Sequence, residues 1–531
     1  MHKSAVGYAL GKLMQIMGAI LLIPLGIAVW GYRDLVLSAI LGQPEVTGFI
    51  TAIVIGLAVG TLFVIWFRDG RELQGIKEGY AIVTLGWISM AFLCAIPLFF
   101  YFVGVRGHDW GSLLRSFTDA YFEIMSGFTT TGATVLYNIE TVPDSLLFLR
   151  ALTHWLGGMG IITLALVIFP SMGVAAYQIF RGEVPGPTKD KLKPRLSQTV
   201  SILWGVYVLF TVAETVLLLF GGMSLFDAVC HSFATLATGG FSTKNASIAA
   251  YSDYIQWVIV IFMYLAGVNF VLHFKALRGQ ISTMLRDREF VFYNGVIVVC
   301  IVLVTGVLYL FGPASVEHAA RQYRHDPPTE QAFERHHAEQ NQPLNTLYGS
   351  FRLGAFQTVS IVTTTGFVTA DYDLWPDFLR FLLVLLMFFG GCAGSTGGGM
   401  KMIRIVIVFK VAVNVLRKLT QPRLVSPVRV GDQVLDNEAV LSVVSFFMLY
   451  VGLFVISAML MTLFVDDLTT AVACSAATIG NIGPGLAGVG PVEHYGWIPV
   501  PGKWILVLSM LLGRLEIFTV LIMLRPSVWR K

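Results

Sequence analysis

Phe128-Thr-Thr-Thr-Gly132-Ala-Thr134, Leu236-Ala-Thr-Gly-Gly240-Phe-Ser-Thr243, Val362-Thr-Thr-Thr-Gly366-Phe-Val-Thr369 and Ile479-Gly-Asn-Ile-Gly483-Pro-Gly-Leu486 are four variants of one short turn, each set in an apolar region. Their aligned glycines, Gly132, Gly240, Gly366 and Gly483, are 108, 126 and 117 residues apart. Irregular backbone inside a bilayer is tolerated only where protein buries it or a watery path runs past it. Four such turns in matching positions point to a closed ring of backbone carbonyls, which is how a protein replaces the water shell of a monovalent cation. Small residues also let membrane helices pack closely. That reading suits one turn alone, but not four in register.

The rest of the composition agrees. The 531 residues are 56% hydrophobic and 13% charged, with a mean hydropathy of +0.73, so most of the chain belongs in lipid. No polar stretch is long enough to form a soluble domain, and the net charge of +4 is too small to imply a nucleic-acid partner. The five cysteines lie scattered in apolar segments with no CxxC pair, so they read as reduced, buried small hydrophobes. The apolar run that follows Lys3 and Lys12 reaches about Trp30 without a small-x-small cleavage site, so it reads as a retained span.

Segments of about 20 apolar residues are long enough to cross a bilayer. Ten are predicted, at 5–30, 47–67, 78–104, 146–170, 198–221, 254–276, 289–312, 377–411, 436–465 and 503–524. Between the third and fourth, fifth and sixth, seventh and eighth, and ninth and tenth lies a shorter, re-entrant helix: Phe117–Phe128, Leu225–Ala237, Thr346–Val362 and Leu468–Ile479. Each ends in one of the four turns. The predicted fold is therefore an all-α membrane protein with four pseudo-repeats of helix, pore helix, loop and helix around one pore. The expected divisions are two extra leading helices (1–77), then repeats at 78–195, 196–287, 288–430 and 431–531.

Lys and Arg placement orients the chain. Roughly two-thirds of the 36 fall on the side of both termini, in runs such as Lys189–Arg195, Lys275–Arg288 and Lys401–Arg429. Both termini are thus expected in the cytoplasm and all four turns near the outer face. Residues 314–345 form a polar outer insert whose prolines discourage a long helix. Its histidines (His318, His325, His336 and His337) raise a metal site as a second reading, without a carboxylate in clear helical register to support it.

The ligands for a dehydrated cation are predicted to be the carbonyls of Thr130, Thr131 and Gly132, of Thr238, Gly239 and Gly240, of Thr364, Thr365 and Gly366, and of Asn481, Ile482 and Gly483. Aiming successive carbonyls one way needs backbone angles that Gly reaches cheaply, and Thr hydroxyls are available to cap groups behind the ring. Asp119, Glu123 and Asp227 near the re-entrant helices are either attractors for cations at the mouth or ordinary caps. Gly390-Gly-Cys-Ala-Gly-Ser-Thr-Gly-Gly-Gly399 puts six glycines into ten residues of an apolar segment. Each costs about 1 kcal/mol in a helix, so a break is expected there. It is not a nucleotide-binding P-loop, because Lys401 does not directly follow a glycine and no Ser or Thr comes after it.

With its four turns, the run Gly390–Lys401 and the motif Gly513-Arg514-Leu-Glu516, the chain resembles the Trk/Ktr/HKT superfamily of potassium transporters, in its TrkH-type branch. The resemblance covers essentially the whole chain. It implies potassium uptake across a bacterial inner membrane, with potassium as cargo and no organic cofactor in this chain. It further implies a homodimer, and a cytoplasmic ring of TrkA-type nucleotide-binding subunits that controls a gate. Glycine at all four filter positions implies potassium over sodium, while Asn481-Ile482 departs from the Thr-rich spelling. In this resemblance Gly394, Ser395, Thr396, Gly397, Gly398, Gly399 and Lys401 belong to the gating loop, and Arg514 projects into the path below the filter. The alternative for Arg514 is an ion pair with an acid such as Glu214. A charge in mid-span is costly and is usually functional or paired.

The basic runs near Lys189–Arg195 and Arg404–Arg429 serve either as docking faces or only as orientation signals. Two other functions compete with a pore: a sodium- or proton-coupled symporter, and an intramembrane enzyme using Ser395. The latter has no use for four filters and shows no His partner at a defined spacing, so no enzymatic activity is expected.

Overall fold

The computed structural model describes residues 1–70, 75–168, 196–323, 346–422, 427–431 and 433–529. The basic run Lys189–Arg195 and residues 324–345 of the insert, with His325, His336 and His337, lie outside the described residues.

Each of the ten predicted apolar segments holds helix. Among the described residues, six helices are long and apolar enough to cross a bilayer. The two leading spans are Lys3–Gly31, nearly continuous through Leu21, and Pro44–Trp66. Glycines let them touch: a methyl group built on Gly11 would sit 2.8 Å from the carbonyl oxygen of Gly60, and one on Gly60 equally close to that of Gly11. Gly48 faces the Pro97 Cα in the same way, which seats the pair on the next helix. Between membrane helices such close backbone approach takes the place of a hydrophobic driving force.

The four repeats follow. The first is Ile76–Arg106, pore helix Trp110–Phe128 and Asp144–Ile168; the second is Leu196–Phe220, pore helix Leu225–Leu236, then Asp253–Ala266 with Phe270–Leu277. The third is Arg288–Tyr323, pore helix Leu347–Val362, then Asp377–Leu386 with Met402–Thr420; the fourth is Asn437–Met461, pore helix Leu468–Ile479, then Val500–Arg514 with Phe518–Met523. A pore helix of 12 residues rises about 18 Å, so it reaches roughly halfway across a hydrocarbon layer of about 30 Å. All four start on a side-chain cap: Asp109, Ser224, Thr346 and Asp467 accept from Ser112, Asp227, Gly349 and Thr470 backbone N–H groups at 2.8–3.1 Å.

Three predicted spans are broken where apolarity alone indicated continuity. The segment 254–276 bends by 103° at Gly267–Asn269. Segment 377–411 loses helix between Leu386 and Met402, where the glycine run lies, and segment 503–524 breaks at Leu515–Ile517, with positive φ at Glu516 and Ile517. Hydropathy registers none of this, because the freed carbonyls find partners on distant segments. The polar insert also departs from expectation. The helix Arg288–Tyr323 continues through its first ten residues, past Pro313. Once a helix is nucleated, Ala, Glu, Arg and Gln extend it cheaply, and Pro327 and Pro328 come only beyond its end.

Candidate ion-conduction site

Every pore helix ends the same way. The N–H of Thr130 returns to the Gly127 carbonyl at 3.0 Å and that of Thr131 to Ser126 at 2.9 Å. The same pair of bonds closes the second helix (Thr238 to Thr235, Gly239 to Ala234), the third (Thr364 to Ile361, Thr365 to Ser360) and the fourth (Asn481 to Thr478, Ile482 to Ala477), all at 2.8–3.2 Å. This is a Schellman closure, which places the turning residue in the left-handed region and normally recruits Gly. Here the turning residues are Thr130, Thr238, Thr364 and Asn481, with φ of 49°, 55°, 61° and 53°. The sequence reading assigned such angles to Gly alone. A non-Gly residue bears roughly 1–2 kcal/mol of strain there, so the surrounding packing must hold it.

Two residues on, the glycines are left-handed too, with φ of 80° (Gly132), 78° (Gly240), 81° (Gly366) and 97° (Gly483). Their contacts reveal the ring. A methyl group on Gly132 would collide with the Gly239 carbonyl oxygen, one on Gly240 with Thr365, one on Gly366 with Ile482, and one on Gly483 with Thr131. Each repeat therefore presses its glycine on the carbonyl of the next, and the fourth returns to the first. The four bends converge on one axis. Among the described residues no hydrogen bond is received by the carbonyls of Thr131, Gly239, Thr365 and Ile482, which leaves them available to a passing ion. Gly483 is the exception among the glycines, because its carbonyl accepts the Tyr495 hydroxyl at 2.7 Å.

Behind this layer the hydroxyls are chained. Thr129 Oγ1 lies 2.8 Å from Thr131 Oγ1, and Thr363 Oγ1 lies 2.8 Å from Thr365 Oγ1. Repeat 2 has Ala237 and Gly239 instead, and His154 fills the gap, stacked at 4.1 Å on Phe241 and flat against Gly239. In repeat 4 the Asn481 amide donates to Thr131 Oγ1 at 3.0 Å and to the Met510 carbonyl at 2.9 Å, bridging to the first loop and to the last span. The ring is thus fourfold in backbone and not in chemistry.

The glycine-rich loop lies directly beneath. Thr396 Oγ1 donates to the Leu236 carbonyl at the end of pore helix 2 at 2.8 Å, and the Gly398 N–H donates to Thr364 Oγ1 at 2.6 Å. A methyl on Gly398 would meet the Gly480 carbonyl and Asn481 at 2.8 Å. Three pore-helix ends, whose dipoles present partial negative charge, are therefore capped by one loop. The loop is anchored in the bend of repeat 2, where Cys392 N–H donates to the Gly267 carbonyl at 2.8 Å and Phe270 N–H to Gly394 at 3.1 Å. Gly394 and Gly399 lie in the stem of this loop, against Asn269 and Gly390, rather than under the ring. The Lys401 ammonium donates to the Gly397 carbonyl, and Ser395 Oγ accepts from the Gly397 N–H at 3.3 Å.

Arg514 does not pair with Glu214. Its guanidinium, 4% exposed, donates to the Thr396 carbonyl at 2.7 Å and to the Gly157 carbonyl at 3.1 Å. It is the last residue before the break in the middle of its span, and it ties the loop to repeat 1. Glu516 pairs with Arg404. Two acids considered for the mouth are fully buried and ion-paired: Asp119 with Lys503 at 2.5 Å and Arg106 at 2.7 Å, and Glu123 with Arg150 at 2.7 Å. Asp227 accepts from Thr243 and Ser224 hydroxyls at the start of its own helix.

Three participants escaped the sequence reading. His154 carries no local pattern, and Asn269, which caps Phe270–Leu277 two residues after Gly267, is a signal hidden in an apolar run. Glu289, at the first turn of its span, accepts from the N–H groups of Ala393 (2.8 Å) and Ile403 (3.0 Å), gripping both limbs of the loop. For Glu289, an acid with no basic residue one helical turn ahead of it was the one available signal.

Residues 46–531 match the TrkH family, described as cation transport protein. The chain is 37% identical over 537 residues to the Trk system potassium uptake protein TrkH of Salmonella typhimurium, with 100% of both chains covered. It is 32% identical over 485 residues to the Trk system potassium uptake protein TrkG of Escherichia coli, covering 91% of each. Its structure superposes on the crystal structure of the potassium transporter TrkH from Vibrio parahaemolyticus with a TM-score of 0.81 at 33% identity over the full length of both. With a family model matched over residues 46–531 and relatives aligned along the full chain, the chain belongs to the TrkH family of cation transport proteins.

Proposed function

We propose that this chain takes potassium into a bacterial cell across the inner membrane. The observation that supports it is the closed circle of contacts in which each filter glycine rests on a neighbouring repeat's unbonded carbonyl. In this reading the carbonyls of Thr130–Gly132, Thr238–Gly240, Thr364–Gly366 and Asn481–Gly483 replace potassium's water shell. Loss of hydration is offset by dipoles already in place, and no reorganisation is needed as the ion arrives. The loop Gly394–Lys401, with Arg514, is the gate: it holds neutral backbone and two cationic side chains, Lys401 and Arg514, where the ion would leave the filter. Its hydrogen bonds to pore helices 2 and 3 and to Arg514 define a shut state.

The excess of Lys and Arg supports a topology with both termini in the cytoplasm and the ring near the outer face. A homodimer with a TrkA-type nucleotide-binding ring completes the assembly, the basic stretch from Arg404 to Arg429 being its docking face. The repeat divisions given above stand as the units of this architecture. The test is reconstitution in liposomes with potassium and sodium gradients imposed separately, with and without a pH gradient. Gly132→Ser must push the Gly239 carbonyl out of the ring and lower the potassium-to-sodium flux ratio. An unchanged ratio at equal reconstituted protein removes the filter assignment, and transport that requires the pH gradient would favour a coupled symporter.

A further inference from the structure

Nine residues before each filter glycine the pore helices carry four different side chains: Glu123, His231, Gln357 and Cys474. All four are buried. The first three make the same connection, from the pore helix to the limb of chain that leaves its own filter turn. Glu123 accepts from Thr134 Oγ1 at 2.9 Å and from the Val135 N–H at 2.8 Å, His231 Nε2 meets Ser242 Oγ at 3.0 Å, and Gln357 donates to Thr369 Oγ1 at 3.3 Å. These partners lie two or three positions beyond Gly132, Gly240 and Gly366. Together with the hydroxyl pairs and the Asn481 and Tyr495 bonds already described, these struts tie the filter turns to their surroundings.

The strut of repeat 1 is charged, and it reaches further. Arg150, 1% exposed, donates through Nε to Glu123 at 2.7 Å. Its remaining nitrogens donate to Thr134 Oγ1 and to the Ser242 carbonyl, each at 3.3 Å, and its plane lies 4.0 Å over the Phe241 ring. One guanidinium thereby holds the outgoing limbs of two neighbouring loops in fixed relation. A planar fork suits that task as a lysine does not, and inside a membrane the pair is retained despite its desolvation cost.

We propose that Glu123 and Arg150 are positioning residues for ion discrimination: they set the spacing between the filter loops of repeats 1 and 2, and with it the preference for potassium over sodium. The inference rests on the filter reading above and adds to it residues that touch no ion.

The test is the potassium-to-sodium flux ratio in proteoliposomes, measured on full-length protein that elutes as a single species. A merely structural defect lowers both fluxes together and leaves their ratio alone. Glu123→Gln with Arg150→Met removes the charges as a pair, so that neither is stranded. Thr134→Val deletes the shared hydroxyl without touching either charge, and decides the matter should the double variant not fold. Either is expected to lower the ratio about tenfold, the effect of one hydrogen bond on the fit of the preferred ion. If Gly132→Ser lowers the ratio while Thr134→Val and the double variant leave it within about a factor of two, the inference is overturned and the filter reading stands. If Gly132→Ser leaves it unchanged as well, both fall.

Discussion

Replacing Arg514 by Ala isolates the contribution of a single side chain to the shut gate. The guanidinium holds the loop through the Thr396 carbonyl and anchors it to repeat 1 through Gly157, at 2.7 and 3.1 Å. Hydrogen bonds from a charged group contribute about 1.5–3 kcal/mol each, so the pair favours the seated loop by about 3 kcal/mol at the low end. Every 1.4 kcal/mol is a factor of ten, which makes the shut state on the order of a hundredfold less favoured in the variant. Part of this is returned, because the buried guanidinium no longer has to be desolvated. Thr396–Leu236 and Gly398–Thr364 still hold the loop. A rise in potassium flux of about tenfold or more remains. The assay is rubidium or potassium uptake into proteoliposomes containing this chain alone, normalised to protein per vesicle. Arg514→Lys keeps a charge but reaches one carbonyl at a time, so its flux is expected between those of wild type and Arg514→Ala. Flux in Arg514→Ala equal to or below wild type at equal incorporation would refute the argument that this residue keeps the loop seated.

Shortening the loop by residues 394–398 removes Thr396 and Gly398 and with them the contacts to pore helices 2 and 3; transport should then no longer depend on the cytoplasmic partner, and full retention of that dependence would mean that the loop is not the gate. Gly60→Leu forces the two leading spans apart at their closest approach to Gly11, at a cost of about 1–3 kcal/mol; a lowered unfolding temperature in detergent is expected, with the flux ratio of ions unchanged. Asp371 and Asp373 sit in the turn outside the third filter loop, where burial, followed by the charge of Asp373, lifts the Asp371 carboxyl to about 7, and burial lifts Asp373 to about 6. Because the folded state keeps protons that the unfolded chain releases near pH 4, stability is full below that point and is lost as pH rises through about 7. The unfolding temperature should therefore fall between pH 5 and 8, and Asp371→Asn should flatten that decline; an identical decline in the variant counts against the assignment.

Sequence alone determined the parts that repeat. Spans of apolar residues and four turns of one spelling are local signals, since lipid selects length and apolarity whatever lies alongside. From these the ten apolar segments and the four short helices that end in the turns were legible. So was the break at Gly390–Gly399, because glycine's cost in a helix is intrinsic to the residue. What the fold decided are the matters of partnership. Gly267 and Asn269 are a stop and a cap that the apolar run around them hides, and nothing in Leu515–Ile517 announces a break; at both places Cys392, Phe270 and Arg514 trade hydrogen bonds with carbonyls from remote segments. Thr130, Thr238 and Thr364 take a left-handed backbone that their residue type disfavours, held by the closing bonds of each short helix and by the ring of neighbours, whereas Asn481 tolerates it more readily. Glu123 and Arg150 are visible as charges in apolar surroundings, but their pairing behind the filter, rather than facing the ions, is a fact of three dimensions. A residue's own chemistry states what it needs, and in a membrane interior without water the folded chain supplies the partner.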